Sequence, residues 1–171
     1  VKYTDRYDEL IKMSADRHMP PNFNDWRRNK AQLIQESGLD PDAESEAGAQ
    51  GIAQFMPLTW ENDVIPGMRL VHDASPFQTQ YAIPANAWYD HKLWLEWTNP
   101  QRTLLDRWHL TLASYNAGFG NLLEAQKLAH GALGYEDIVA QLHHVTGEAN
   151  AKQTRDYITR IERIYAELLA A

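Results

Sequence analysis

Residues 24–60 read NDWRRNKAQLIQESGLDPDAESEAGAQGIAQFMPLTW, and they pass from one structural regime to another. The first part predicts a helix from Asp25 to Ser37, with Asn24 as cap, Gly38 as stop, and Trp26, Leu33 and Ile34 facing a core. The middle, GLDPDAESEAGAQ, is a run of turn formers and carboxylates that predicts an irregular loop over residues 38–50. Pro57 then suits the first position of a new short helix. Glu36 stands where helix becomes loop. A carboxylate in a last turn opposes the helix dipole, and most glutamates so placed are simply solvated. Here the residue directly follows the stretch Gln32-Leu33-Ile34-Gln35, whose centre is apolar. A carboxyl held among apolar neighbours shifts toward the protonation that a general acid needs near neutrality.

Helical spacing extends outward from this stretch in both directions. Residues 5–17 predict a first helix, capped by Thr4 and ended by Pro20 and Pro21. A loop is expected over about 62–76, then a helix over about 77–97 that Pro84 must kink or delay. Asn99-Pro100 predicts the start of a helix to Ser114, with Gly118 and Gly120 interrupting, and shorter helices near 121–129 and 135–143. Residues 151–169 carry the clearest apolar stripe, from Tyr157, Ile158 and Ile161 to Ile164, Tyr165 and Leu168. No run alternates with period two for more than a few residues. The expected fold is mostly α, one domain over residues 1–171, with at most a very small β element.

Composition narrows the function. The 171 residues carry 16 Lys+Arg against 23 Asp+Glu, a formal net charge of −7, and no cysteine. Such acidity argues against a nucleic-acid partner, which needs a basic stripe. Lacking cysteine, the chain can hold no disulfide, thiol nucleophile, Fe–S cluster or thiolate zinc site. No apolar run reaches the roughly 20 residues of a membrane span. The seven histidines show no ligand spacing, and His143-His144, being adjacent, are expected to point apart on a helix. No phosphate loop, nucleophile elbow or dinucleotide fingerprint occurs. Neither a metal nor a cofactor is expected. Arg27, Arg28 and Lys30 read as a solvated helix face, and Trp88, Trp94, Trp97 and Trp108 as core or helix-contact residues.

Glu36-Ser37, Pro41, Ala43, Ser45, Gly48-Ala49, Gly51, Gln54 and Met56-Pro57 together resemble the first motif of the soluble lytic transglycosylase domain, a relative of goose-type lysozyme. Ala53 departs from the methionine more usual in that family. Residues 73–89 resemble its second motif loosely, with Pro84 and Trp88 untypical. Ala113-Ser114-Tyr115-Asn116-Ala117-Gly118 matches the third closely. Gln153-Thr154-Arg155-Asp156-Tyr157-Ile158 resembles the fourth, with Gln153 in place of the usual glutamate.

The resemblance covers about residues 24–165 and implies a lysozyme-like fold and cleavage of peptidoglycan glycan strands. It implies that Glu36 protonates the glycosidic oxygen and then, as base, helps the muramyl C6 hydroxyl attack C1, leaving a 1,6-anhydro end. It further implies that Ser45 hydrogen-bonds the catalytic carboxylate, and that Gln54 and Met56 contact substrate. Tyr115 and Asn116 would line the sugar site, and Tyr157 would reach toward the glutamate. Bland readings stand beside these: turn chemistry for Ser45, Gly48 and Gly51, core for Met56, a helix-terminal turn with a half-buried tyrosine for Tyr115 and Asn116, and packing for Tyr157. Trp60, directly after the first motif, reads either as core or as a sugar-stacking wall. The expected setting is the periplasm or cell wall, for a monomer that comes from a phage or is secreted with its leader removed. Two rivals remain. A hydrolytic muramidase would recruit a second carboxylate among Asp40, Asp42, Glu44 and Glu46. A binding module would keep the site without turnover.

Overall fold

Asp25, not Asn24, begins the helix that ends at Glu36. The Asp25 carboxylate accepts the Arg27 N–H at 3.1 Å and caps the helix Trp26–Ser37. Asn24 instead donates to Asp16 at 3.1 Å. At the far end Gly38 adopts φ 66° and donates its N–H to the Ile34 carbonyl at 2.8 Å, a left-handed stop that suits glycine. The computed structural model describes residues 2–171. Its helices are α1 (Asp8–His18), α2 (Trp26–Ser37), α3 (Pro57–Thr59), α4 (Ile65–Met68), α5 (Thr79–Glu96), α6 (Leu104–Ala117), α7 (Phe119–Leu128), α8 (Tyr135–Val139), α9 (His143–Thr146) and α10 (Glu148–Leu169). Among the described residues, β structure amounts to two isolated antiparallel bridges, Glu44 with Gln50 and Gln50 with Phe55. The mostly α expectation holds.

Several boundaries differ from the sequence reading for local reasons. Thr4 accepts the Arg6 N–H at 3.2 Å in a turn, and α1 begins later, at Asp8. The loop expected from residue 62 is helical as far as Met68, because a wider π-type turn, Trp60–Val64, links α3 to α4 and places Pro66 near a helix start, where its missing N–H costs nothing. Pro84 lies inside α5, and the bond it cannot donate falls at Gln80, an exposed residue. Asn99 caps a turn by accepting the Gln101 N–H at 2.9 Å; α6 starts after Thr103, whose hydroxyl accepts the Asp106 N–H at 3.0 Å.

The described residues form two compact units. The first comprises the chain through Tyr89 together with Ile161–Ala171. In it α1 packs on α2, and the Lys30 ammonium, only 4% exposed, meets Asp8 at 2.5 Å. Arg28 stacks 4.1 Å from the Tyr165 ring centre and pairs with Glu162 at 3.3 Å. Tyr165 donates its hydroxyl to Asp25 at 2.8 Å, and burial, aided by that carboxylate, raises its pKa. Arg28 and Lys30 therefore belong to packed ion pairs and not to a solvated face; long basic side chains bury their stems when a carboxylate meets the head. In the same unit Asn86 of α5 donates to Gln32 of α2 at 3.0 Å, with both residues fully buried.

The second unit is Asp90–Arg160, built on mutual packing of α6, α7 and α8, with α9 against α7. Trp94, Trp97 and Trp108 are buried there, as expected of core residues. The Trp97 indole N–H donates to the Ser114 hydroxyl at 3.0 Å, and that hydroxyl in turn donates to the Leu110 carbonyl at 2.7 Å. Arg102 donates to the Leu133 and Trp97 carbonyls at 2.7 and 2.8 Å, pinning an irregular connection to the start of the α6 segment. The two adjacent histidines do not point apart. Their rings lie 3.9 Å from centre to centre, because α9 is a single turn whose geometry need not follow the rotation of a long helix.

One glycine is sterically obligatory. At Gly51 φ is 79°, and a Cβ would sit 1.9 Å from the Pro76 carbonyl oxygen. Gly48 shares the left-handed backbone (φ 91°) but faces open space. We expect Gly51→Ala to cost about 3 kcal/mol of unfolding free energy and Gly48→Ala about 1 kcal/mol, as measured by urea denaturation. Equal losses would mean that backbone strain alone, and not the Pro76 contact, fixes the turn.

Candidate active site

The α2 helix delivers Glu36 in its last turn, half-buried, one residue before the helix stops. Its neighbour Ser37 anchors the loop beyond. Ser37 donates its hydroxyl to the Ile52 carbonyl at 2.8 Å, fifteen residues on, while its oxygen accepts the Asp40 N–H at 3.2 Å. The loop is thus tied to the helix end beside Glu36.

Inside the loop the polar side chains are largely spent on backbone. The Ser45 hydroxyl accepts the Ala49 N–H at 2.9 Å, and the Ser45 N–H donates to the Ala49 carbonyl at the same distance, closing a tight turn. The hydroxyl proton remains available for donation. Gly51 donates its N–H to Ala43 at 2.8 Å. Gln54, at φ 52°, donates through Nε2 to the Ala43 and Gly51 carbonyls at 3.2 and 2.9 Å. Both amide hydrogens are committed, so Oε1 is the atom left to meet a ligand. Gln50 and Phe55 exchange backbone bonds at 2.9 and 3.1 Å, which completes the loop's frame without a strand.

Met56 is 43% exposed at the helix start, so the core reading does not describe it. Trp60 is core and no sugar wall. Its ring is buried, its N–H donates to the Ala74 carbonyl at 2.8 Å, and Phe55 packs 5.4 Å away. The four loop carboxylates, Asp40, Asp42, Glu44 and Glu46, are all exposed. Asp40 accepts the Asp42 N–H at 2.9 Å.

The second unit holds the other motif residues. Tyr115 and Asn116 end α6, where Gly118 (φ 92°) donates to the Ser114 carbonyl at 2.9 Å and turns the chain. Tyr115 is half-buried and Tyr157, on α10, is buried. The Thr154 hydroxyl donates to the Asn116 side-chain oxygen at 2.8 Å, joining the third and fourth motifs directly. Sequence reasoning saw both motifs and missed this bond. The available signal was the paired presence of Asn and Thr in motifs 38 residues apart, which names no partner by itself. A polar hollow of about 200 Å³ lies at Asn116, with Asn121, Asn150 and Gln153 among its lining residues. Among the described residues no cluster of His, Asp and Glu could hold a metal ion, and no helix is long and apolar enough to cross a membrane.

Residues 24–138 match the family model of the Transglycosylase SLT domain. The chain is 33% identical, over 127 residues, to a membrane-bound lytic murein transglycosylase F of Desulfosudis oleivorans, covering 72% of this chain and 24% of that protein. It is 29% identical over 161 residues to the protein of the same name from Actinobacillus pleuropneumoniae serotype 3, covering 85% of this chain and 31% of the relative. The chain thus spans a quarter to a third of the length of these relatives. In structure it is similar to the 70 kDa soluble lytic transglycosylase SLT70 of Escherichia coli, with a TM-score of 0.72 at 18% identity, over 98% of this chain and 25% of that one. The lytic transglycosylase Slt of Pseudomonas aeruginosa, solved as an inactive mutant, gives 0.71 at 16% identity, with the same coverage. The fold is the lysozyme-like one of these enzymes.

Gln54→Ala leaves two loop carbonyls without their donor. We expect it to lower stability by about 1–3 kcal/mol in chemical denaturation. Met56→Ala, at an exposed position, should change stability by less than about 0.5 kcal/mol. A neutral Gln54→Ala would mean that water replaces the side-chain amide at no cost.

Proposed function

The chain belongs to the Transglycosylase SLT domain family, and from that premise we propose that it cleaves the β-1,4 bond between N-acetylmuramic acid and N-acetylglucosamine in peptidoglycan, without water, leaving a 1,6-anhydromuramic acid end. The observation that carries the reading is Glu36, half-buried in the last turn of α2, inside the family-matched segment, at the mouth of a loop held by Ser37, Gly51 and Gln54. Glu36 gives its proton to the glycosidic oxygen as the C1–O bond breaks, and the departing sugar keeps that proton as a hydroxyl. The resulting carboxylate takes the C6 hydroxyl proton while O6 bonds to C1, which returns Glu36 to its starting protonation state. One carboxyl serves both transfers.

Support for a single carboxyl also comes from the loop. A second carboxylate acting as nucleophile or base must be held in place. Asp40, Asp42, Glu44 and Glu46 are all exposed, and the one side-chain hydrogen bond described for them closes the turn at Asp40. The proposed roles of Ser45, Gln54 and Met56 at the substrate, and of Tyr115, Asn116 and Tyr157, draw their support from the motifs that carry these residues. For Gln54 that role falls to Oε1, since its Nε2 hydrogens are engaged. The substrate places the site of action at the cell wall.

Digestion of purified peptidoglycan, with products read by mass spectrometry, tests this. Wild type should release anhydro-muropeptides, one water lighter than hydrolytic products, and Glu36→Gln should lower the rate by at least about 10³-fold. Reducing-end products would identify a muramidase instead. Sugar binding without cleavage would identify a binding module.

A further inference from the structure

Thr154 is 2% exposed, and its hydroxyl has one proton and two acceptors within reach. One is the Asn150 carbonyl on its own helix at 3.2 Å, the ordinary back-bond of a helical threonine. The other, at 2.8 Å, is the side-chain oxygen of Asn116 at the end of α6. The shorter bond is the tertiary one. A carboxamide is planar, so holding its oxygen fixes where its NH2 points.

The polar hollow at Asn116 makes that orientation consequential. Its lining includes no charged residue. Two of its carboxamides are already spent on nearby carbonyls, Asn121 on Ala117 at 2.7 Å and Asn150 on Thr146 at 3.0 Å. Gln153 is exposed at the rim. Asn116 is the amide in this hollow that is both anchored by its oxygen and left with its NH2 uncommitted among the described residues.

We propose that Thr154 is a positioning residue: by holding the Asn116 oxygen it presents the Asn116 NH2 as an oriented donor to a neutral oxygen acceptor of the glycan. The inference rests on the transglycosylase reading above for its substrate. It extends the functional set to a buried side chain that itself touches no sugar.

The test is a double-mutant cycle on peptidoglycan turnover, with Thr154→Val, Thr154→Ser, Asn116→Ala and the Thr154→Val/Asn116→Ala pair. Thr154→Val should lower kcat/KM about 5–30-fold, the range of one lost hydrogen bond. Thr154→Ser, which keeps the hydroxyl, should recover to within about threefold of wild type, and Thr154→Val should add nothing in the Asn116→Ala background. Equal losses in both backgrounds, or no loss in wild type, would overturn the proposal. A second readout needs no turnover: the Asn116 side-chain NH2 resonances, identified by their disappearance in Asn116→Ala, should move in Thr154→Val and stay in Thr154→Ser. If Thr154→Val does not fold, Thr154→Ala takes its place in both arms. Should wild type release no anhydro products, the transglycosylase reading fails, while the NMR arm still decides whether Thr154 holds Asn116. Unmoved resonances would refute that contact.

Discussion

The close approach of Gly51 to the Pro76 carbonyl is the constraint on which the region around Glu36 depends. A thirteen-residue stretch rich in turn formers has no regular ladder to satisfy its backbone, so each carbonyl and N–H needs a partner of its own. Gly51 makes that possible by letting two backbone segments meet where any side chain would collide. Ser37 and Gln54 then supply the bonds that a strand would have provided, from the helix side and from within the loop. Glu36 sits one residue before the first of these ties. Its position is set by backbone chemistry, with no regular sheet behind it.

The same economy of polar groups governs the second unit. Trp97, Ser114 and the Leu110 carbonyl form a buried relay that fixes the last turns of α6, so the chain reaches Tyr115 and Asn116 already ordered. Gly118 then turns the backbone away, and the Asn121 side chain caps the Ala117 carbonyl at 2.7 Å. The Thr154–Asn116 bond adds the α10 motif to this frame. In both units, residues that read as ligand-binding groups prove to be divided atom by atom. Ser45 uses its oxygen on the turn and keeps its proton. Gln54 uses its nitrogen and keeps its oxygen. Asn116 uses its oxygen and keeps its nitrogen.

Charge obeys a parallel logic. The chain carries a formal net charge of −7, and several of its basic residues are drawn into packing. Lys30 is sealed against Asp8, and Arg28 is held between Glu162 and the Tyr165 ring. Cations so committed stabilise the α1–α2 region and are poorly placed to attract an anionic polymer over distance.

Local signals in the sequence determined a good deal. Apolar stripes at helical spacing marked most of the ten described helices, glycine and proline marked the turns, and the spacing of Glu36, Ser45, Gly48, Gly51 and the Tyr115-Asn116 pair marked the family. These are properties of neighbours within a few residues, where chain geometry alone sets the distances. What only the tertiary structure decided was the use of each polar or aromatic group. Trp60 went to the core because the Ala74 carbonyl, fourteen residues away, takes its N–H. Arg28 and Lys30 left the solvent because Glu162 and Asp8 come to them. Thr154 reaches Asn116 across 38 residues at 2.8 Å, closer than the 3.2 Å to the carbonyl of its own helix. A hydrogen bond needs its partner within about 3 Å, and over such separations packing, and no sequence interval, sets that distance.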